Sequence, residues 1–204
     1  MKSRIDLVVA LLAVIVAAWL AVALFVPVPG APSPSGAVAA AAPGGVKQDW
    51  LEGDAAQRER FKDLEGKPAP PLQVDQWTNG DAVTLEALRG KVVLLDFWGT
   101  WCAPCLAAVP HVNQLQAKHR DRGFVAIGVC DPEGADTMAK TVKEKNFQYL
   151  VARDPQSKTA EAYKIEAMPT YHLIDRAGNL RVLNAKQEKL DEAIAALLAE
   201  APAK

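Results

Sequence analysis

Residues 98–105 read Trp98-Gly99-Thr100-Trp101-Cys102-Ala103-Pro104-Cys105. Two cysteines separated by two residues can close a small disulfide ring. The pair lies where a β-prone run ends and a helical stretch begins, with Pro104 suited to a first helical turn. That turn leaves backbone N–H groups unpaired, and its dipole is positive there. A thiolate at Cys102 is stabilised in that position, and the thiolate is the attacking species in disulfide exchange. Cys105 lies one turn further in and is expected to be the more buried, held as a thiol until it resolves a mixed disulfide. The chemistry indicated is dithiol–disulfide exchange. Two bland readings stand beside it. Half of a zinc site would need a second ligand pair, and Cys130, His111, His119 and His172 are not spaced as one. A structural disulfide would merely staple the turn.

The elements that must position this pair follow from periodicity and punctuation. Val92-Val93-Leu94-Leu95-Asp96-Phe97 predicts a strand buried on both faces. A helix from Ala103 to about Arg120 follows, kinked by Pro110. Phe124–Cys130 predicts a second buried strand. Asp136 is expected to cap a helix running to about Asn146. A short strand over Tyr149–Ala152 and a short helix over Ser157–Tyr163 come next. Tyr171–Ile174 and Leu180–Leu183 predict a hairpin turned by Gly178, and a helix over Leu190–Leu198 closes the chain. Upstream, Asp54 caps a short helix towards Phe61–Leu64, and Gly66–Pro71 reads as extended. Leu72–Gln76 and Ala82–Thr84 flank Thr78-Asn79-Gly80-Asp81, a hairpin signal. Gly90 ends a helical turn over Leu85–Arg89. The fold class is α/β: strand–helix–strand units imply a parallel core, the late hairpin adds an antiparallel part, and helices cover both faces of a mixed sheet.

The chain has 204 residues, half of them apolar, with 23 basic against 24 acidic side chains. Balanced charge offers no basic field for a nucleic acid. A 23% charged content is not that of a disordered polyelectrolyte. Three cysteines are too few for a disulfide scaffold or a four-cysteine zinc site.

Leu7 to Val26 carries no charge and no proline. As a helix it would be roughly 30 Å long, the thickness of a bilayer core. Lys2 and Arg4 precede it, and no charged side chain follows until Lys47. The positive-inside rule then places the N-terminus in the cytoplasm and the rest outside. A cleaved signal peptide competes, because Ala37-Val38-Ala39 has the small-x-small pattern. However, the apolar run exceeds the ~7–15 residues of a signal h-region, and that site lies well beyond it. The expected organisation is an anchor over residues 1–28 and a Pro-, Gly-, Ser- and Ala-rich linker over 29–64 with a short helix. The globular domain then spans 65–204.

Leu95 to Cys105 resembles the active-site stretch of the thioredoxin superfamily almost residue for residue. Pro110 falls at that family's helix-kinking proline, and Met168-Pro169-Thr170 resembles its cis-proline loop. Gly66-Lys67-Pro68-Ala69-Pro70, Leu85 to Val93, Phe124–Val129 and Leu173 to Gly178 are similar to the membrane-anchored, extracytoplasmic TlpA/ResA-like branch. The resemblance covers about residues 65–200. It implies a thioredoxin fold and a thiol–disulfide oxidoreductase that needs no cofactor or metal. Cys102 is then the nucleophile and Cys105 the resolving thiol. Asp96 occupies the family's buried acidic position, where desolvation raises a carboxyl pKa, so it accepts the Cys105 proton. Pro169 is implied to be cis, with the Met168 backbone pairing to an extended client segment. Trp101 offers an exposed platform, and Ala103-Pro104 tunes the potential without fixing it.

The same resemblance implies a reductant on the outer side of a bacterial cytoplasmic membrane. Protein dithiols or disulfides are its clients, a membrane or periplasmic donor supplies electrons, and the chain acts as a monomer. Many relatives in the branch carry a glutamate three residues after the second cysteine; here that residue is Ala108, which leaves the acid–base work to Asp96. Cys130 reads as a small buried hydrophobe or as a third thiol near the site. His111 and His119 are expected on solvated helix positions, while His172 approaches the site only if its strand face points there. Two rivals remain. A peroxidase of the peroxiredoxin kind needs threonine three residues before its cysteine, where this chain has Gly99. A non-catalytic docking module would hold its disulfide at a potential well below about −300 mV.

Overall fold

The computed structural model describes residues 45–200. The expected anchor over Leu7–Val26, the cleavage-site reading at Ala37–Ala39 and the linker up to residue 44 lie outside the described residues. Among the described residues, no helix is long and apolar enough to cross a membrane.

Five helices and six strands are used below: α1 (Ala55–Glu59), β1 (Asp75–Thr78), β2 (Val92–Trp98), α2 (Ala103–His119), β3 (Phe124–Cys130), α3 (Met138–Glu144), β4 (Leu150–Arg153), α4 (Lys158–Ala162), β5 (Thr170–Ile174), β6 (Leu180–Val182) and α5 (Leu190–Ala199). Among the described residues the strands form one sheet in the order β1-β4-β3-β2-β5-β6. β2, β3 and β4 run parallel, while β5 is antiparallel to β2 and β6 to β5. The mixed α/β sheet expected from the sequence is therefore present.

β2 is buried along its whole length. Alternation sends Leu94 and Trp98 to one face, where they pack with Val109, Val112 and Leu115 of α2 and Ile194 and Leu197 of α5. Val93, Leu95 and Phe97 go to the other face, against Phe61, Leu85, Tyr163 and Leu180. Each such side chain contributes about 1.5–3 kcal/mol through burial.

Three expectations need correction. β1 does not form a hairpin with Ala82–Thr84; it pairs antiparallel with β4. The Asn79 amide donates to the carbonyls of Phe147 and Tyr149, and Arg153 forks onto Asp75 through two 2.8 Å bonds, so the turn is tied to the sheet edge instead. Asp136 does not cap α3. It lies within a 3-10 turn, Ala135–Thr137, and Thr137 occupies the cap position while its hydroxyl donates to the Gly134 carbonyl. Lastly, much of residues 46–64, expected in the tether, is built into the fold. Trp50 and Phe61 are buried, Glu52 N–H donates to Asn184, and Lys186 N–H donates to Trp50. Two large aromatic rings gain too much by burial to stay in a solvated linker. Asp54 caps α1 with a reciprocal bond from Gln57.

Candidate active site

β2 ends at Trp98, and the chain turns into α2 through Gly99-Thr100-Trp101. The turn is closed by the Cys102 N–H to the Gly99 carbonyl, 3.0 Å, and is fastened sideways by the Thr100 hydroxyl to Gly134. The Trp101 indole lies back over Gly99. A Cβ at Gly99 would come within 2.9 Å of that ring, so glycine is what permits the approach. Trp101 is 55% exposed, so about half of the indole faces solvent.

Cys102 is the N-cap of α2, with extended backbone, and its sulfur accepts from the Cys105 N–H at 3.3 Å. Cys102 and Cys105 are joined as a disulfide. The helix N-terminus thus presents an N–H to the sulfur that would carry charge after reduction. The expected difference in burial is not found: Cys102 is 3% exposed and Cys105 4%. The bond itself explains this, since two linked sulfurs share one environment.

Asp96 lies on the α2-covered face of β2, the same face as Leu94 and Trp98, and is 4% exposed. The Tyr149 hydroxyl donates to its Oδ2 at 2.8 Å. Burial pushes the Asp96 carboxyl up to about 7, while the bond from Tyr149 acts in the opposite direction. Ala108, one turn beyond Cys105 on the inner face of α2, is buried and adds no second carboxyl there.

The Met168–Pro169 bond is cis. Phe97 pairs with Thr170, so Pro169 lies beside the end of β2 from which the cysteine turn departs. Met168 packs against the apolar cluster that holds both cysteines. Between Met168 and Trp101 lies a groove of about 260 Å³, also lined by Asp131, Glu161 and Ile165.

The other candidates separate. Cys130 pairs with Trp98 across β2 and β3 and is fully buried, and burial pushes its thiol up to about 12. It is a packed thiol at neutral pH. His119 is not solvated: it continues the inner stripe of Val112 and Leu115, and its Nε2 is 2.7 Å from Asp191 of α5. His111 is half-buried. His172 pairs with Leu95 and faces away from Asp96, among Phe61, Phe97 and Tyr163. Its Nδ1 accepts from Asn184 N–H, and burial pushes its pKa down to about 4. Among the described residues no cluster of His, Cys, Asp and Glu is placed to hold a metal. Tyr149 is the site residue that sequence reasoning missed. Its signal was Gly128, a glycine inside a buried strand, which marks a close approach by something else.

Residues 64–198 match the Redoxin family model. A thiol-disulfide oxidoreductase ResA of Bacillus cereus is 33% identical over 137 residues, covering 67% of this chain and 78% of the relative. Protein DipZ of Mycobacterium bovis is 35% identical over 122 residues, covering 55% of this chain but 18% of that longer protein. A crystal structure from Chlorobium tepidum, provisionally described as a thiol:disulfide interchange protein DsbE, superposes with a TM-score of 0.59 at 35% identity, covering 66% of this chain and 97% of that one.

Proposed function

This chain belongs to the Redoxin family, and we propose that within it the protein is a membrane-tethered reductant of protein disulfides on the outer side of a bacterial cytoplasmic membrane. Thiol–disulfide oxidoreductase activity on a thioredoxin fold is the common ground with its relatives. The tether, the direction of electron flow and the residue roles are our reading. The observation that carries it is the Cys102–Cys105 disulfide at the N-terminus of α2, on the sheet face that also holds a buried carboxyl.

Beginning from the dithiol, the Cys102 thiolate attacks one sulfur of a client disulfide, and the other client sulfur leaves as a thiolate. A mixed disulfide now joins Cys102 to the client. Asp96 takes the proton of Cys105, whose sulfur then attacks Cys102 and releases the second client thiolate. Two electrons pass to the client, whose two thiolates take up protons, and the Cys102–Cys105 bond re-forms. The client segment lies in the groove between Trp101 and Met168, with Pro169 shaping the loop that receives its backbone. Ala103 and Pro104, between the sulfurs, set the potential together with the helix N-terminus. A charge-free apolar stretch at Leu7–Val26 after Lys2 and Arg4 supports the tether, with the N-terminus inside. The electron donor is a dithiol carrier in or beside the membrane.

The test uses the full-length protein. Cys102→Ser should abolish exchange, whereas Cys105→Ser should accumulate mixed disulfides with clients. Retained turnover in Cys102→Ser would overturn these roles.

A further inference from the structure

The bond from Tyr149 to Asp96 depends on a gap in the strand between them. Asp96 pairs with Gly128 of β3, which is buried. A Cβ on Gly128 would lie 3.0 Å from Trp98 Nε1, 3.3 Å from Tyr149 Cε2 and 3.3 Å from Val151. That is tighter than ordinary van der Waals contact, so a larger residue must displace one of these groups. Tyr149 stands just before β4, one strand further out, and its ring passes the bare Cα of Gly128 to reach Asp96 Oδ2. The ring is backed by Phe147 at 5.2 Å between centroids, and Phe147 packs on Trp98 at 4.7 Å. The Asn79 amide, 3.0 Å from the Tyr149 carbonyl, fixes the main chain from the far side. Asn79, Phe147 and Gly128 therefore set one phenol hydroxyl in one place.

Around Asp96 the other neighbouring elements bring no charge. β3 offers Gly128 and the Cys130 thiol, and β5 offers Tyr171, whose hydroxyl has no hydrogen-bond partner among the described residues. The inner face of α2 carries Cys105, Ala108 and Val109, with His119 at its far end bonded to Asp191. The inner faces of α3 and α5 are apolar. Among the described residues Tyr149 is the side chain that hydrogen-bonds Asp96, at Oδ2, and it leaves Oδ1 clear of that bond.

We propose that Tyr149 is a positioning residue for disulfide exchange: it holds Asp96 by Oδ2 and favours its ionised form, leaving Oδ1 to take the Cys105 proton. This rests on the reading of Asp96 as proton acceptor. In the step itself the Cys105 proton moves to Asp96 Oδ1 and the Cys105 sulfur bonds to Cys102. The bond from Cys102 to the client sulfur breaks, that sulfur leaves with the electron pair, and Asp96 later returns its proton to solvent. Tyr149 keeps its own proton throughout, because burial and the nearby Asp96 charge push its phenol well above its ordinary value of 10.

The test is single-turnover reduction of a defined peptide disulfide by the reduced full-length protein, from about pH 5 to 9.5. It is paired with titration of the Asp96 carboxyl by isotope-edited spectroscopy in the oxidised protein, where the paired cysteines do not titrate. Tyr149→Phe keeps the ring and removes the donor. Loss of one hydrogen bond to a carboxylate should raise its titration by about one unit. Reduction should then be about tenfold slower at pH 6 and within about twofold of wild type at pH 9.5. In an Asp96→Asn background, Tyr149→Phe should add nothing. If Asp96→Asn removes the pH step but Tyr149→Phe leaves the profile and the titration unmoved, the proposal falls while the role of Asp96 stands. If Asp96→Asn leaves the profile unchanged, both fall. Should Tyr149→Phe not fold, the ionised Asp96 carboxylate of the wild-type protein must show the split stretch of a carboxylate hydrogen-bonded through one oxygen, and a symmetric stretch would overturn the proposal.

Discussion

Asp96→Asn should make the oxidised protein more stable, and by an amount that depends on pH. Burial moves the Asp96 carboxyl from its ordinary 3.8 to about 7. Between those values the unfolded chain has released this proton while the folded protein retains it, so stability falls as the pH rises. At 1.36 kcal/mol per unit, about 4 kcal/mol is lost across the window, and above pH 7 the loss is complete. Asparagine has no such proton, and its side-chain oxygen can still accept from Tyr149. The variant should match wild type near pH 4 and exceed it by about 2–4 kcal/mol at pH 8.

His172 makes the comparison sharper. Its pKa falls from 6.5 to about 4, again through burial. Between those values the unfolded imidazole is protonated and the folded one is neutral. Stability contributed by its burial is therefore fully present above pH 6.5 and is lost as the pH falls towards 4, about 3 kcal/mol in all. The two groups slope in opposite directions over nearly the same interval, so wild type should show a shallow profile. In Asp96→Asn the His172 slope stands alone, and stability should climb with pH. Guanidinium unfolding at several pH values reads both curves. Parallel curves for wild type and Asp96→Asn from pH 4 to 8 would refute the claim that Asp96 is a desolvated carboxyl titrating in that window.

Two further outcomes follow from exposure and burial. Trp101→Ala should raise KM for a protein client several-fold while leaving reduction of a small disulfide nearly unchanged. Stability should move by less than about 0.5 kcal/mol, because the indole is already half in solvent; an unchanged KM would remove Trp101 from the client surface. Cys130 should resist alkylation in the folded reduced protein under conditions that label Cys102, since a buried thiol titrating near 12 offers almost no thiolate at neutral pH. Labelling of Cys130 at a comparable rate would show that it is not packed as described.

The parts of the fold written in short-range pattern were readable. A continuous apolar run gave β2 and β3, and the Cys102-Ala103-Pro104-Cys105 segment gave the start of α2, because the cap and the first-turn proline are local signals. What the sequence hid depends on partners distant in the chain. Asn79-Gly80 announced a turn, but its partner strand was chosen by the Asn79 amide reaching Phe147 and Tyr149 and by the Arg153–Asp75 fork. Val112, Leu115 and His119 lie on one helical stripe, so the burial of His119 was readable from spacing, while Asp191, which makes it tolerable, was not. Tyr149 escaped because its reach to Asp96 exists only once β3 places Gly128 between them.

The arrangement also says why a carboxyl can sit in such a strand at all. Six of the seven β2 residues are apolar and buried, and the exception is Asp96. A cost of about 4 kcal/mol for its ionised form is comparable with what two buried Leu or Val side chains contribute. Leu94 on the same face and Val93, Leu95 and Phe97 on the other contribute about 6–12 kcal/mol together, roughly twice that cost, so the strand absorbs the penalty without losing its place in the sheet. In the role proposed for Asp96 the penalty is itself what would make the group useful: a carboxyl solvated at the surface would titrate near 4 and be a poor acceptor for a thiol proton, whereas one near 7 is matched to neutral pH. With Ala108 supplying no second acid on the inner face of α2, the proposed transfer from Cys105 has Asp96 as its buried carboxyl, and the packing of β2 against α2 is what desolvates that carboxyl and raises its basicity.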